Sequence, residues 1–329
     1  MAKIFLTGGA GLIGHSIAKK LLKQGHDVVI YDAFINYLTP KQSHYPQYLQ
    51  LRLKELDRFS DKLTIIRGDI RYKSFLINAM AETQPDVVVH LAAIPIATVC
   101  DKYPEEASAV NFDGTVNVIE AMRVYGKVKR FVYTSSSFVY GNFQKPIADE
   151  EHPTLPIDIY GSSKLAGENL TRSFSQRNDV EHVIVRPSAA YGPTDANRRV
   201  SQIFVENAIL GKTVTLHEGG KGEVDFTYIE DLSDGFVLAI LNPKARNQTF
   251  NVTTGNCRSI KDFASIVKGV LPKTKIEVTE ATDMVRPKRG TLSIEKAKKI
   301  LGYKPNFSIE TGIPAYIEFI LKSKVLPTA

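Results

Sequence analysis

The 329 residues predict an α/β chain: a doubly wound parallel sheet followed by a smaller, interleaved C-terminal α/β part. Three observations predict it. Short β-branched runs alternate with amphipathic stretches through the first 190 residues, a glycine-rich turn joins the first run to the first amphipathic stretch, and the alternation breaks after Gly192. Hydrophobic residues at 43% and charged residues at 23% describe an ordinary globular chain, long enough to bury a core without disulfide or metal staples.

The strands expected in the first part are Lys3–Thr7, Asp27–Tyr31, Leu63–Arg67, Asp86–Leu91, Arg130–Thr134 and His182–Arg186. Between them the 3.6-residue pattern predicts helices over Leu12–Gln24, Pro40–Asp57, Lys73–Thr83, Pro104–Tyr125 and Ile159–Arg177. Helices of that length between strands imply right-handed crossovers and a sheet covered on both faces. Beyond Gly192, short strands (Thr213–Leu216, Thr249–Val252, Lys275–Val278) mix with helices at Ser201–Leu210, Glu230–Leu241, Ser259–Val270, Ser293–Ile300 and Ser308–Ser323. That mixture reads as a cap over residues 191–329, packed with residues 1–190 as one body because no linker-like tract separates them.

Net charge is +7, from 42 Lys+Arg against 35 Asp+Glu, and most of the surplus lies in the second half. This suits an anionic ligand. No basic run with interleaved aromatics is present, which argues against nucleic acid. Cys100 and Cys257 lie far apart with no Cys/His cluster, so neither a disulfide framework nor a metal site is expected, and a cytoplasmic setting is. The longest apolar run, Val87 to Cys100, is broken by His90 and Pro95 and is too short to cross a bilayer. His90 reads as a satisfied core residue, Asp149-Glu150-Glu151 as a solvated face, and the aromatic stretch His44–Tyr48 as loop packing, with a place at the border of a ligand site as the alternative.

Directly after the first strand stands Thr7-Gly8-Gly9-Ala10-Gly11-Leu12-Ile13-Gly14. Gly8, Gly11 and Gly14 recur at every third place as the helix opens. Glycine there permits the tight turn and the close approach of a pyrophosphate to free N–H groups at the helix start. Asp32 ends the second strand, where a carboxylate accepts the adenosine ribose hydroxyls and repels a 2′-phosphate, so NAD is expected rather than NADP. Asp69 and Ile70 follow the third strand and suit an adenine. Leu91, Ala92 and Ala93 end the fourth and leave room for the dinucleotide.

Tyr-x-x-x-Lys puts two side chains one helical turn apart, and three such pairs occur: Tyr37/Lys41, Tyr125/Lys129 and Tyr160/Lys164. Pro40 and Gly126 interrupt the first two. The third opens a good helix and lies downstream of the hydroxyl cluster Thr134-Ser135-Ser136-Ser137. Beside a nicotinamide, Lys164 would lower the Tyr160 pKa to make a base, and a serine hydroxyl would hold the substrate oxygen.

With these residues in place the chain resembles an extended short-chain dehydrogenase/reductase with a Rossmann fold, in the NAD-dependent epimerase/dehydratase family, near the UDP-glucose 4-epimerases. The likeness runs through TGGAGLIG at 7–14, GDI at 68–70, HLAA at 90–93, Asn111 in VNFDGT, TSSSFVYG at 134–141 and YGSSK at 160–164. It continues through RPSAAYGP at 186–193, VDFTYIEDL at 224–232, FNVTTG at 250–255, RP at 286–287 and LGYKP at 301–305. It implies Ser136, Tyr160 and Lys164 as catalytic residues. It also implies cofactor contacts at Gly8, Gly11, Leu12, Ile13, Gly14 and Pro187, with Tyr160 and Lys164 again among them, and substrate contacts at Thr98, Ser137, Arg199 and Arg286.

The departures carry information too. The family's 4,6-dehydratases have Asp-Glu where this chain has Ser137-Phe138, which argues against elimination of water from the sugar. Ala189 and Val224 replace an Asn and an Arg that in relatives hold the diphosphate; Arg286 and Arg199 are the cations expected to meet it instead. The function expected is a sugar-nucleotide epimerase that oxidises C4 and re-reduces it. The alternatives are a net nucleotide-sugar 4-dehydrogenase or ketoreductase and, less in keeping with the intact Ser136, Tyr160 and Lys164, a non-catalytic NAD-binding protein. The resemblance implies a homodimer through helices 104–125 and 159–177, the pair that forms a four-helix dimer interface in the family; Ala107, Val110, Val116, Ile119 and Met122 add to it by giving the first helix more apolar surface than one sheet contact requires.

Overall fold

In a computed structural model of the chain, which describes residues 1–35, 44–281, 287–323 and 325, seven parallel strands form one sheet. We number them β1 (Lys3–Thr7), β2 (Asp27–Asp32), β3 (Leu63–Arg67), β4 (Val87–His90), β5 (Arg130–Thr134), β6 (Glu181–Pro187) and β7 (Gln248–Val252). Their order across the sheet is β7-β6-β5-β4-β1-β2-β3. The chain starts in the middle, winds outward to β3, then crosses back and winds the other way. The crevice over the carboxyl ends of β1 and β4 is therefore where such a sheet offers a ligand site.

Strand alternation divides the core into two layers. Ile4, Leu6, Ile30, Val89 and Val132 point to one face, where they meet Ile17 and Leu21 of helix Leu12–Lys23. Phe5, Val29, Val88, Phe131 and Tyr133 point to the other and meet Leu76, Val118, Met122 and Phe174. A third cluster built on Tyr191, Phe204, Phe226, Phe263 and Tyr316 forms the core of the second half. His90 sits in β4 between Thr7 Oγ1 at 2.6 Å and Thr115 Oγ1 at 3.0 Å, and burial takes its pKa down to about 3. Among the described residues, no helix is long and apolar enough to cross a membrane.

The interleaving of the two halves takes a definite form. Strand β7 and helix Ile229–Leu241, expected in the cap, both belong to the main sheet layer: Phe250 and Val252, with Leu232 and Phe236, share one core cluster with Ile4 and Ile17. The reason is two-sided burial. Phe250 and Val252 fill one face of the sheet, while Asn251 between them accepts a hydrogen bond from Tyr140 at 2.7 Å on the other. The stretch expected as one helix over 104–125 is interrupted by a π turn at Ala109–Asp113 between Pro104–Ser108 and Gly114–Tyr125. The helix expected near 293–300 is likewise mainly a π turn, Ala297–Leu301. Helix Tyr45–Leu56 begins later than expected, and Tyr37, Pro40 and Lys41 lie outside the described residues. Tyr125 ends its helix at Gly126, so it shares no helix with Lys129.

Two smaller expectations fail for reasons of packing. Glu150 is not part of a solvated face, because its Oε1 accepts the Asn251 N–H at 2.7 Å and its carbonyl accepts from Arg186 at 3.1 Å. Ala107, Val110 and Met122 are spent on the core, and of the five apolar residues named above only Val116 is left exposed, beside Phe112.

One buried ion pair ties these layers together. Arg186 of β6 donates through Nε and Nη2 to the two oxygens of Glu168, both at 2.8 Å, and through Nη1 to the Tyr140 hydroxyl at 2.9 Å. Ser135 adds a hydrogen bond to Glu168 at 2.6 Å. Burial alone would lift the Glu168 carboxyl, but the Arg186 bonds and charge, with Ser135 and Arg172, hold it below the usual carboxylate range. Its contribution is therefore complete above about pH 4.3 and fades as pH falls through the depressed native value. Glu168→Ala would leave a buried guanidinium without its carboxylate, and we expect a loss of about 3–5 kcal/mol in urea unfolding at neutral pH. The deficit relative to wild type should shrink in titrations below about pH 4, where wild type loses the ionised partner as well.

Candidate active site

The turn after β1 is shaped by close approach. A Cβ on Gly14 would lie 2.4 Å from the Gly8 carbonyl oxygen, and one on Gly8, whose φ is +69°, would lie 2.7 Å from the Ala92 nitrogen. Gly11 differs, since its added Cβ would meet only the Gly8 carbonyl oxygen, at 3.1 Å, and otherwise open space. No side chain caps the helix that Gly11 begins, so its first N–H groups face a cradle without side-chain atoms. That cradle fits a pyrophosphate.

Asp32 at the end of β2 accepts from Ala10 N–H at 2.9 Å and Phe34 N–H at 2.8 Å. Burial raises its pKa and these two N–H groups oppose the rise. Beneath it runs an arrangement that nothing in the sequence announced. Arg52, buried on helix Tyr45–Leu56, donates to the Ala10 carbonyl at 2.8 Å and to Thr194 Oγ1 at 3.2 Å and O at 2.5 Å. The glycine turn is thus fastened to the start of the second half. Tyr45, for which loop packing was favoured over a place beside the adenosine, begins this helix and lines the cleft near Asp32.

The cleft itself measures ≈ 1360 Å³ and runs from this turn into the second half. Gly8, Gly11, Leu12, Ile13, Gly14, Asp32, Asp69, Ile70, Leu91, Ala92, Ala93 and Pro187 line it, as do Ser136, Tyr160, Lys164, Thr98, Ser137 and Arg199. Every site residue expected from the sequence therefore borders one space, apart from Arg286, which lies outside the described residues. The donor set and the side-chain-free cradle fit NAD.

Helix Ile159–Asn178 carries Tyr160 and Lys164. It starts at Asp158, whose Oδ1 accepts the Gly161 N–H at 2.7 Å. Lys164 Nζ donates to the Thr134 carbonyl at 2.8 Å, and burial brings its pKa down to about 8. Burial pushes the Tyr160 phenol up to about 12, opposed first by the Arg199 charge and then by a hydrogen bond with Ser136. Lysine was the cation expected to act on Tyr160. Lys164 turns toward Thr134, with its Nζ 6.0 Å from the Tyr160 ring centre.

Asn111, set in the π turn, accepts the Ile94 N–H at 2.8 Å and donates to Ser163 Oγ at 3.3 Å. It joins the loop after β4 to the catalytic helix. Arg199 donates to Ala190 O at 3.3 Å and Pro95 O at 3.4 Å across the cleft, whereas Arg198 is ion-paired with Glu206 at 3.0 Å. Phe138 and Arg289, which the sequence reading passed over as cleft residues, also line it.

Comparison with known proteins agrees with this geometry. The model of the NAD-dependent epimerase/dehydratase family matches residues 4–253. The UDP-glucose 4-epimerase of Mycolicibacterium smegmatis is 29% identical over 322 residues, covering 96% of this chain and 98% of that protein. Among solved structures, Pal from Bacillus thuringiensis superposes with a TM-score of 0.88 at 28% identity, over 97% of this chain and 99% of that one. The UDP-glucuronic acid 4-epimerase of Bacillus cereus, crystallised with UDP-glucuronic acid and NAD, gives a TM-score of 0.86 at 27% identity with the same coverage.

A carboxylate that meets ribose hydroxyls selects against a 2′-phosphate. Asp32→Ala should therefore narrow the preference for NAD over NADP by about tenfold or more, measured by titrating each dinucleotide into the purified protein.

Proposed function

The chain belongs to the NAD-dependent epimerase/dehydratase family, and from that premise we propose that it is a sugar-nucleotide 4-epimerase. The observation that carries this reading is the convergence of Ser136, Tyr160 and Lys164 on the cleft that also holds the glycine cradle and Asp32. Bound NAD supplies the reversible hydride chemistry that turns a C4 carbinol into a ketone and back. Tyr160 takes the proton from the 4-hydroxyl and gives it back. Ser136, which lines the cleft with Tyr160, holds the substrate oxygen. Lys164 fixes the ammonium charge at the end of β5, through Thr134. Burial has raised the phenol to about 12, so the nearby positive charges are what bring it into use as a base.

Elimination of water from the sugar is not supported. In the two places where the family's 4,6-dehydratases carry acid and base, Ser137 accepts a hydrogen bond from Arg289 at 3.3 Å and Phe138 packs edge-on against Tyr160. Residues 1–190 serve mainly the dinucleotide, and residues 191–329 mainly the sugar nucleotide, with Arg199 the cation offered to the diphosphate. Two free cysteines suit a reducing cytoplasm.

The same reading makes the enzyme a homodimer through the helices at 104–125 and 159–178. Tyr103, Phe112 and Val116, with Leu155 and Ile157, leave apolar side chains at the surface around this pair. Phe112 and Ile157 border a shallow depression beside the start of helix Ile159–Asn178.

Incubation with UDP-, GDP-, CDP- and dTDP-sugars, followed by NMR, should show inversion at C4 with no net near-UV absorbance change. A lasting rise in absorbance would mark a net dehydrogenase instead. Tyr160→Phe should lower turnover at least about a hundredfold while leaving the fold and bound NAD intact. Light scattering at micromolar concentration should report a dimer for the wild type and a monomer for Val116→Glu, since a charge at that face has no partner in the interface.

A further inference from the structure

Arg52 is a buried guanidinium for which the chemistry at C4 has no direct use. It stands on helix Tyr45–Leu56 with 2% of its surface exposed. Its hydrogen bonds to described residues end on neutral oxygens: Ala10 O at 2.8 Å, Thr194 Oγ1 at 3.2 Å and Thr194 O at 2.5 Å. A charge is costly to bury, and a planar fork is the side chain that reaches acceptors on two segments at once. The two segments it joins face different ends of the cleft.

Ala10 belongs to the glycine turn. Its N–H donates to Asp32 Oδ2 at 2.9 Å while its carbonyl accepts from Arg52, so residue 10 is held from both sides. Thr194 opens the stretch that leads to Arg199. It stands at φ +67°, and Arg198 at φ +52°. A β-branched residue is strained in the left-handed region and stays there only where its surroundings hold it. Arg52 supplies two of the bonds that do so. Beyond Thr194, Asp195 N–H donates to Gly192 O at 3.1 Å, Asp195 Oδ1 accepts the Asn197 N–H at 3.2 Å, and Arg198 N–H donates to Gln202 Oε1 at 2.7 Å. Residues 194–199 are therefore one connected turn. Arg199 ends it with two long bonds, at 3.3 and 3.4 Å, so its position follows the turn.

A pyrophosphate in the cradle and a ribose on Asp32 bear on the turn that Arg52 holds, and Tyr45, at the start of the helix that carries Arg52, lines the cleft beside them. We propose that Arg52 is a positioning residue that couples the two ligands of the cleft: NAD on the cradle fixes the 194–199 turn through Arg52, and so readies Arg199 for the diphosphate of the sugar nucleotide. The inference rests on the reading of Arg199 as the cation for that diphosphate. Linkage is reciprocal, so a nucleotide held by Arg199 tightens the hold on NAD in turn.

The experiment uses the full chain loaded with NAD. UDP is titrated into it by calorimetry, with dTDP, CDP and GDP alongside, and release of NAD on dilution is followed with and without the tightest of the four at saturation. In wild type that nucleotide should slow NAD release by at least about fivefold, the lower end of coupling between two sites. Arg52→Lys keeps the charge, but one ammonium cannot bridge Ala10 and Thr194 as the fork does. There the slowing should fall below about twofold and the nucleotide Kd should rise about tenfold, as for one charge-assisted hydrogen bond lost at Arg199. Thr194→Val removes one Arg52 bond without changing the shape of the side chain, and should reduce the slowing by about half even where Arg52→Lys fails to retain NAD. Arg199→Gln, at the wall of the cleft, should abolish it. Slowing that is absent in wild type, or undiminished in any of these variants because the nucleotide simply covers the dinucleotide, would overturn the role of Arg52. Binding of none of the four nucleotides by wild type would overturn the reading of the cleft on which that role rests.

Discussion

The Glu168–Arg186 pair is the constraint on which the rest of this molecule depends. Tyr160, Lys164 and Glu168 follow one another at intervals of four on one face of the same helix, so whatever fixes Glu168 fixes the other two. Arg186 fixes it from β6 with two parallel bonds, and Ser135 fixes it from the end of β5. Ser136 is the very next residue. The distance between the serine hydroxyl and the phenol is therefore set by a lock placed behind them. Arg186 also reaches Tyr140 and, through it, Asn251 of β7, so the outer sheet edge contributed by the second half is aligned by the same guanidinium. A buried pair of this kind gives little net stability compared with an apolar packing. What it gives is register.

Electrostatics at the cleft follow from burial more than from any single charge. The phenol of Tyr160, the ammonium of Lys164 and the carboxyl of Asp32 all move toward their neutral forms when water is removed. Against this the structure sets a few aimed groups: Arg199 across the cleft, the N–H groups of Ala10 and Phe34 on Asp32, and the Thr134 carbonyl on Lys164. Ionisation of the phenol at neutral pH therefore calls for positive charge beside it beyond what burial leaves.

Much of the fold was legible because the strands of a parallel sheet read as short runs dominated by apolar β-branched residues, and the helices between them repeat their apolar positions. β1, β3 and β5 end where the pattern says. The site was legible for a different reason: glycines at every third place, an acid at the next strand end and a tyrosine and lysine one turn apart are requirements of chemistry, independent of packing detail. What escaped was whatever depends on distant partners. Arg52 looks like any arginine of an amphipathic helix until the turn at Ala10 and the loop at Thr194 are seen on either side of it. Phe250 and Val252 read as a cap strand because nothing local says that β6 needs a neighbour. Val110 and Met122 read as surplus surface because nothing local says that the sheet and the neighbouring helices bury them.

The placement of β7 has a consequence for how the chain comes to be folded. Until Gln248–Val252 is available, β6 is an uncovered edge with a row of open hydrogen-bonding groups. On a ribosome adding roughly 5–20 residues per second, the interval between Pro187 and Gln248 lasts about 3 to 12 seconds. The nascent sheet must spend that time one strand short, with the pocket for Phe250 open. Slow elongation, or half-made chains held at high concentration, would expose an adhesive edge that the finished molecule does not have.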